Sequence, residues 1–374
     1  MKLHYYPLLL VDKKRKITLS DKEKQQYYRH ILLQDIGLEG QKRLKKAKVL
    51  VVGAGGLGCP VLQYLAAAGV GTLGVIDFDS IESSNLQRQI LFGTTSLGQK
   101  KAIVAKEKLQ EINPFISITA YPFELHQGNA ISLFNKYHII VDATDNYNSR
   151  YLINDASFLT QKPMVYASIY KYQGQLSVFN YKKGPSYRCL FPEPPQHTQN
   201  CSQVGVLGVL AGIMGGLQAN EVIKLILRLG QPLSGKMLLF NAKTTECQTL
   251  KIPKNKLQNI SLINLKKTHP NPTPQILNEL TPKQLYQHLN RQKKIQFIDL
   301  RADNEQPKIQ IFEKHKTTLK NLQKDLITVL YCQSGIRSKE KLIKLKKKDT
   351  YPNLFHLKGG VEAWTQTFPK TKTI

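Results

Sequence analysis

The run Gly53-Ala54-Gly55-Gly56-Leu57-Gly58 spaces its glycines so that a backbone can approach a phosphate closely, provided that a strand leads in and a helix leads out. Both neighbours are present. Lys48-Val49-Leu50-Val51-Val52 is a short apolar, β-branched run of the kind that forms a buried parallel strand. The Leu- and Ala-rich run from Pro60 to Ala68 predicts a helix, and Gly69 predicts its end. Such a helix offers an anion its free N-terminal amides and the positive end of its dipole. Thr72-Leu73-Gly74-Val75-Ile76 reads as the next strand and delivers Asp77 roughly twenty residues after the glycines, where a carboxylate would bond ribose hydroxyls. Gly53, Gly55, Gly56, Gly58 and Asp77 are thus expected at a bound nucleotide, with Asp79 and Asn85 in the segment that follows, the alternative being a tight strand–helix corner without a ligand.

Charge separates one nucleotide from another. A dehydrogenase needs few cations at its pyrophosphate, whereas a triphosphate attacked at its α-phosphorus needs Arg, Lys and a divalent metal for the charge on the leaving pyrophosphate. Arg88 and Lys101 follow the nucleotide strand and supply those cations. His138-Ile139-Ile140-Val141 reads as another buried strand, and it ends in Asp142-Ala143-Thr144-Asp145-Asn146. Ligands of open α/β sheets lie beyond the carboxyl ends of the strands, which puts Asp145 in position to hold Mg2+ through oxygen. The competing reading makes Asp145 a helix cap and Arg88 and Lys101 surface charges.

A second chemical constellation follows the strand Ile327-Thr328-Val329-Leu330-Tyr331, which runs into Cys332-Gln333-Ser334-Gly335-Ile336-Arg337-Ser338. A turn with cysteine first and arginine closing points backbone amides inward and stabilises an anionic or persulfide sulfur. Lys294-Ile295-Gln296-Phe297-Ile298-Asp299-Leu300-Arg301 reads as the companion strand with an acidic turn.

These elements need more than one core, as 374 residues would suggest. Pro270, Pro272 and Pro274 favour an extended linker. Just beyond it, Thr281-Pro282 has the form of an N-cap followed by proline at the first helical position. The expected division is residues 1–267, a linker at 268–278, and 279–374. Ser20-Asp21-Lys22-Glu23 predicts a capping box for a helix carrying Arg29 and His30. The formal charge of +28 is spread as lysine along the chain, with short clusters at Lys13–Lys16 and Lys346–Lys348. That spread argues against nucleic acid and suits an acidic protein partner. The five cysteines, Cys59, Cys189, Cys201, Cys247 and Cys332, are odd in number and have no repeating spacing, which implies a reducing compartment rather than a disulfide scaffold. No run approaches the roughly 18 apolar residues of a membrane span, so a cytoplasmic location without membrane contact is expected.

Taken in order, Arg29-His30-Ile31-Leu32, the glycine run, Asp77-Phe78-Asp79, Ser84-Asn85-Leu86-Gln87-Arg88-Gln89, Asp142-Ala143-Thr144-Asp145-Asn146, Arg188-Cys189-Leu190-Phe191-Pro192 and Gly215-Gly216-Leu217-Gln218-Ala219-Asn220-Glu221 make residues 20–252 resemble the ThiF/MoeB (HesA) family, relatives of ubiquitin-activating enzymes. The resemblance implies a Rossmann-like α/β domain with a mostly parallel central sheet. It implies ATP-dependent adenylylation of the C-terminal glycine of a ubiquitin-like sulfur carrier of the ThiS or MoaD type, for thiamine, molybdopterin or related chemistry. By the same resemblance Gly56 lines the phosphate loop, Asp77 holds the ribose, Arg88 and Lys101 stabilise phosphates, and Asp145 binds magnesium. Arg29 is implied to reach the phosphates of a neighbouring subunit, hence a homodimer, and Cys201 to attack the activated carboxyl group or relay sulfur. Many relatives hold a structural zinc with two Cys-x-x-Cys pairs. Here only Cys189 of the first pair remains in Ser186-Tyr187-Arg188-Cys189 and no pair falls in Leu250–Asn264, so no zinc is expected.

The cysteine loop, with Phe355-His356-Leu357-Lys358-Gly359-Gly360-Val361-Glu362-Ala363-Trp364, resembles rhodanese sulfurtransferases, small α/β domains. Four residues separate Cys332 from Arg337, one fewer than in related phosphatases, and this favours a carried sulfur over phosphate hydrolysis. The implied donor is a cysteine desulfurase or similar source. The family's His-Ile-Pro-Gly-Ala-like segment is absent between Arg301 and Ile327, which suggests a trimmed module. An NAD(P)-dependent oxidoreductase on the same fold and a non-catalytic scaffold for ubiquitin-like proteins are the alternatives.

Overall fold

The computed structural model describes residues 17–193, 205–255, 260–261, 265, 269, 278–291, 294–302, 304–319, 321–323, 325–346 and 353–369. Cys201, the Lys13–Lys16 cluster and the linker prolines lie outside the described residues. The chain divides into two compact units, Met1–Pro272 and Thr273–Ile374.

The first unit is built on strands β1 (Lys48–Val52), β2 (Thr72–Ile76), β3 (Ser117–Tyr121), β4 (Ile139–Asp142), β5 (Met164–Tyr170), β6 (Gln173–Phe179), β7 (Lys236–Asn241) and β8 (Cys247–Lys251). Their order in the sheet is β3-β2-β1-β4-β5-β6-β7-β8. The β3-to-β5 half is parallel and the rest antiparallel. Successive residues of a strand point to opposite faces. Val49 and Val51 accordingly join one apolar core, while Leu50 and Val52 join another. Strand order reverses at β1, with β2 on one side and β4 on the other, and a crevice opens there at the carboxyl ends.

The helix Gly208–Leu227 corrects the expectation about apolar length. By length and mean hydropathy it meets the criteria for a membrane span, yet 56% of its apolar window is buried in the protein. It is a core helix, apolar on most sides because it packs on β5, β6 and the helix Gly58–Ala67.

The second unit is a parallel sheet ordered β10-β11-β12-β9, from β9 (Glu279–Leu280), β10 (Ile295–Asp299), β11 (Ile327–Tyr331) and β12 (Leu354–Leu357). Thr281 caps the helix Pro282–Asn290 in a capping box with Gln284. The segment between Arg301 and Ile327 is short but structural. Its helix Gln310–Lys314 stacks Phe312 on Phe297 at 4.6 Å and places Phe312 against Tyr331 and Trp364.

Candidate functional site

The glycine turn is compulsory by sterics. A Cβ on Gly58 would lie 2.0 Å from the Gly53 carbonyl oxygen, and Gly53 has φ +96° with space for a Cβ closed at 2.8 Å by the Ala143 carbonyl. Asp77, at the end of β2, fastens this turn. One of its oxygens accepts the Ala54 amide and the other the Asp79 amide, each at 2.8 Å. Burial pushes the Asp77 carboxyl up, against the pull of Lys101 and of those two amides.

A cavity of about 500 Å³ opens beside the turn. Its walls include Gly53, Gly55, Gly56, Asp77, Asp79, Asn85, Arg88, Lys101 and Asp145, which the structure therefore brings together as the sequence proposed. Gly58 stands behind the wall as the first residue of its helix, and Arg29 is exposed and outside the lining. The side chain of Lys101 is only 7% exposed, and its Nζ pairs with Asp79 Oδ2 at 3.1 Å. Arg88 lays its stem against Gly56 and donates to the Ser84 carbonyl at 3.0 Å. Asn85 is buried and accepts the Glu82 amide.

The alternative role of Asp145 is taken by its neighbour. Asn146 is the N-cap of the helix Tyr147–Leu159, accepting the Ser149 amide at 2.9 Å, and the Asp145 carboxylate lines the cavity. Asp142 shapes the turn from within the protein, accepting the Thr144 amide and hydroxyl at 3.0 and 2.6 Å, with its carboxyl pushed up by burial. Sequence reasoning missed Arg150, a buried arginine in the cavity wall. It donates to the Thr144 carbonyl and lies 5.4 Å from the Tyr147 ring and 5.6 Å from that of Tyr166. Phe123, Glu124, Leu125 and Tyr170 also line the cavity.

Around Cys189 the chain is knitted by other means. Asp155 receives a bidentate pair from Arg188 at 2.7 and 2.8 Å and a third contact from His269 at 3.0 Å. Asn255 donates to the Cys189 carbonyl, and Tyr187 packs among Tyr151, Tyr166, Phe179 and Phe191. Among the described residues no group of three or more His, Cys, Asp or Glu is gathered for a metal ion, and the described cysteines are free thiols.

In the second unit Cys332 follows β11 and is fully buried. Its carbonyl accepts the Val361 amide at 3.0 Å, and that of Gln333 accepts the Glu362 amide at 3.1 Å. The Cys332 Sγ lies 3.7 Å from the Ser338 hydroxyl. Gly335 takes φ +83°, and a Cβ on Gly360 would lie 2.3 Å from the Cys332 carbonyl. Arg337 closes the loop and pairs with Glu305.

A nucleotide-type crevice on a mostly parallel sheet, joined to a cysteine-loop α/β unit, defines a class before any comparison. Residues 27–261 match the ThiF family and residues 281–367 match the rhodanese-like domain. The chain belongs to the ThiF family. It is 38% identical over 372 residues to the probable adenylyltransferase/sulfurtransferase MoeZ of Mycobacterium tuberculosis, covering 93% of this chain and 94% of that one. The sulfur carrier protein adenylyltransferase of Thermus thermophilus is 46% identical over 243 residues, covering 63% of this chain and 90% of its own. Among solved structures, E. coli MccB with ATP has a TM-score of 0.55 at 24% identity over 64% of this chain and 75% of that one, a likeness of fold.

Proposed function

We propose that the chain uses magnesium ATP to adenylylate the C-terminal glycine of a ubiquitin-like sulfur carrier, ThiS- or MoaD-like, and that Cys332 carries the sulfur that turns the activated end into a thiocarboxylate. The family match and the adenylyltransferase and sulfurtransferase names of its relatives support this reading. The observation that carries it is the convergence of Arg88, Lys101 and an Asp145 released from capping on one cavity at the glycine turn.

The attacking group explains the lining. A carrier's terminal carboxylate is already ionised at neutral pH, so its oxygen can attack the α-phosphorus without a general base. As the new oxygen–phosphorus bond forms, the bond to the β-phosphate breaks, and Lys101 and Arg88 face the charge that leaves on pyrophosphate. Magnesium is normally held by one or two carboxylates plus substrate phosphates, which a single Asp145 fits. When bound, the ion would neutralise part of that leaving charge. Asp79 keeps Lys101 in place, and Asp77 orders the turn while retaining lone pairs for a ribose.

Arg29 is assigned to the phosphates of a second copy, and the exposed apolar side chains of Tyr28, Leu32 and Leu33 beside it support a homodimer. Cys201 is assigned to sulfur relay and a cysteine desulfurase to supplying the sulfur.

One experiment tests the whole reading: mass spectrometry of candidate carriers incubated with the protein, ATP, magnesium and a sulfur donor. The parent is expected to add AMP and then to replace oxygen by sulfur. Asp145→Ala should leave the carrier unmodified, and Cys332→Ala should stop at the AMP adduct. Normal adenylylation by Asp145→Ala would remove the magnesium assignment.

A further inference from the structure

The loop from Cys332 to Ser338 carries one cation, Arg337. That cation is not available as a free charge. Its Nη1 donates to Glu305 Oε2 at 2.8 Å and to the Leu300 carbonyl at 3.3 Å, and its Nη2 donates to Glu305 Oε1. Glu305 is itself fixed, accepting the Ala302 amide at 2.7 Å. Arg337 holds the Glu305 carboxyl well below the usual carboxylate range, at about 2, so the pair is fully ionised at neutral pH. The pair sits on the accessible rim of the loop, with Arg337 47% and Glu305 26% exposed. The other rim residues, Gln333, Ser334 and Ile336, are uncharged, and Ile336 is 55% exposed. Of the other cations in the unit, Arg301 and Lys316 pair with Asp299 and Lys358 with Glu279, while Lys339 stands exposed in the first turn of the helix that leaves the loop.

A small sulfur donor such as thiosulfate is a dianion and leaves a second dianion, sulfite, so it needs net positive charge at the mouth of the site. A persulfide on a protein cysteine brings at most one charge and is held by the surface of its own protein. We propose that Glu305 is a specificity-determining residue: by cancelling Arg337 it closes the cysteine loop to small dianionic donors and leaves it suited to a persulfide carried on a partner protein. This inference rests on the sulfur-transfer reading of Cys332. In the favoured reaction the Cys332 thiolate attacks the outer sulfur of the donor persulfide. The donor's sulfur–sulfur bond breaks, the donor leaves as a thiolate, and the persulfide is now on Cys332 with no net oxidation. With thiosulfate the same attack releases sulfite.

The test uses the full chain with thiosulfate and cyanide, reading thiocyanate, and a parallel assay with cysteine persulfide as the monoanionic probe. Glu305→Gln should lower the KM for thiosulfate by about fivefold at low salt with kcat little changed, and the gain should shrink towards 0.5 M sodium chloride as roughly a 10 Å screening length contracts. Turnover of cysteine persulfide should not improve. Glu305→Asp, which keeps the charge, should hold the KM near that of the parent. In the parent itself the KM for thiosulfate should change less than about twofold between 0.15 and 0.5 M salt, a measurement that needs no variant. An unchanged or raised KM in Glu305→Gln, or a steep salt dependence in the parent, would overturn the proposal and leave Glu305 as a positioning residue for Arg337. Failure of the parent to take sulfur from cysteine persulfide in a reaction that Cys332→Ala abolishes would remove the sulfur-transfer reading and this inference with it.

Discussion

Two turns at the carboxyl ends of parallel strands, one from β1 into the helix Gly58–Ala67 and the other from β11 into the helix Ile336–Lys346, differ in where their tightness comes from. In the first, the chain closes on itself: Gly58 abuts the Gly53 carbonyl within six residues of sequence. In the second, the walls come from a distant segment, with Gly359 and Gly360 packed against Gly335 and Cys332 and the Val361 and Glu362 amides holding the loop carbonyls. Beside each turn a cation is held against a carboxylate from another segment, Lys101 with Asp79 and Arg337 with Glu305. A ligand site can thus be written as a local motif or assembled in three dimensions, and only the first kind announces itself in a short stretch of residues.

The sharpest way to break that contrast is a pair of glycine substitutions. Gly58→Ala and Gly360→Ala each force a Cβ to within 2.0 and 2.3 Å of a backbone oxygen, at a local cost of about 3 kcal/mol. Gly58→Ala should cut ATP-dependent carrier modification by more than about 100-fold and leave Cys332-dependent sulfur transfer intact, and Gly360→Ala should do the reverse. Assaying both reactions on both variants decides it. Loss of both activities in either variant would show that the turns are not independent.

The next effect is on stability and belongs to the first unit alone. Burial raises the Asp155 carboxyl, but hydrogen bonds from Arg188 and His269 outweigh it and hold it below 3.8. A carboxylate with a depressed folded pKa contributes stability that is present above its unfolded value and is lost as pH falls below it. Asp155→Asn should therefore cost about 2 kcal/mol at pH 7, and the deficit should narrow below about pH 3.8. Thermal melts of the two proteins at pH 7 and pH 3 measure this. The smallest effect sits in the second unit. Thr281→Ala removes the cap of the helix Pro282–Asn290 and should cost about 1 kcal/mol in denaturant melts, leaving the first unit's transition unmoved.

What could be read from sequence follows the same division. The glycine turn, the strands β1, β2, β4, β10 and β11, the Ser20–Glu23 capping box and the Thr281 cap before Pro282 depend on residues a few positions apart. Strands β6 to β8 were not anticipated: β8 is exposed along its whole length and shows no apolar alternation. Spacing alone left Asp145 divided between cap and site, because the equally suitable Asn146 stands beside it. Arg150 and Glu305 were invisible for a stronger reason. Their distant partners, Tyr166 for one and Arg337 for the other, meet them only once separate elements have packed.

The helix Gly208–Leu227 has a consequence beyond filling the core. A Cβ on Gly208 would lie 2.4 Å from the Gln87 carbonyl oxygen, one on Gly56 would lie 3.2 Å from the Ala211 methyl, and one on Gly215 would lie 2.4 Å from Pro60 and 2.7 Å from the Leu57 carbonyl oxygen. One rod thus braces both banks of the crevice, the glycine side and the arginine side, along its inner edge. Bulk added at those small residues would pry the banks apart without meeting any nucleotide, so tolerance to substitution along this helix is governed by the width of a cleft it never enters.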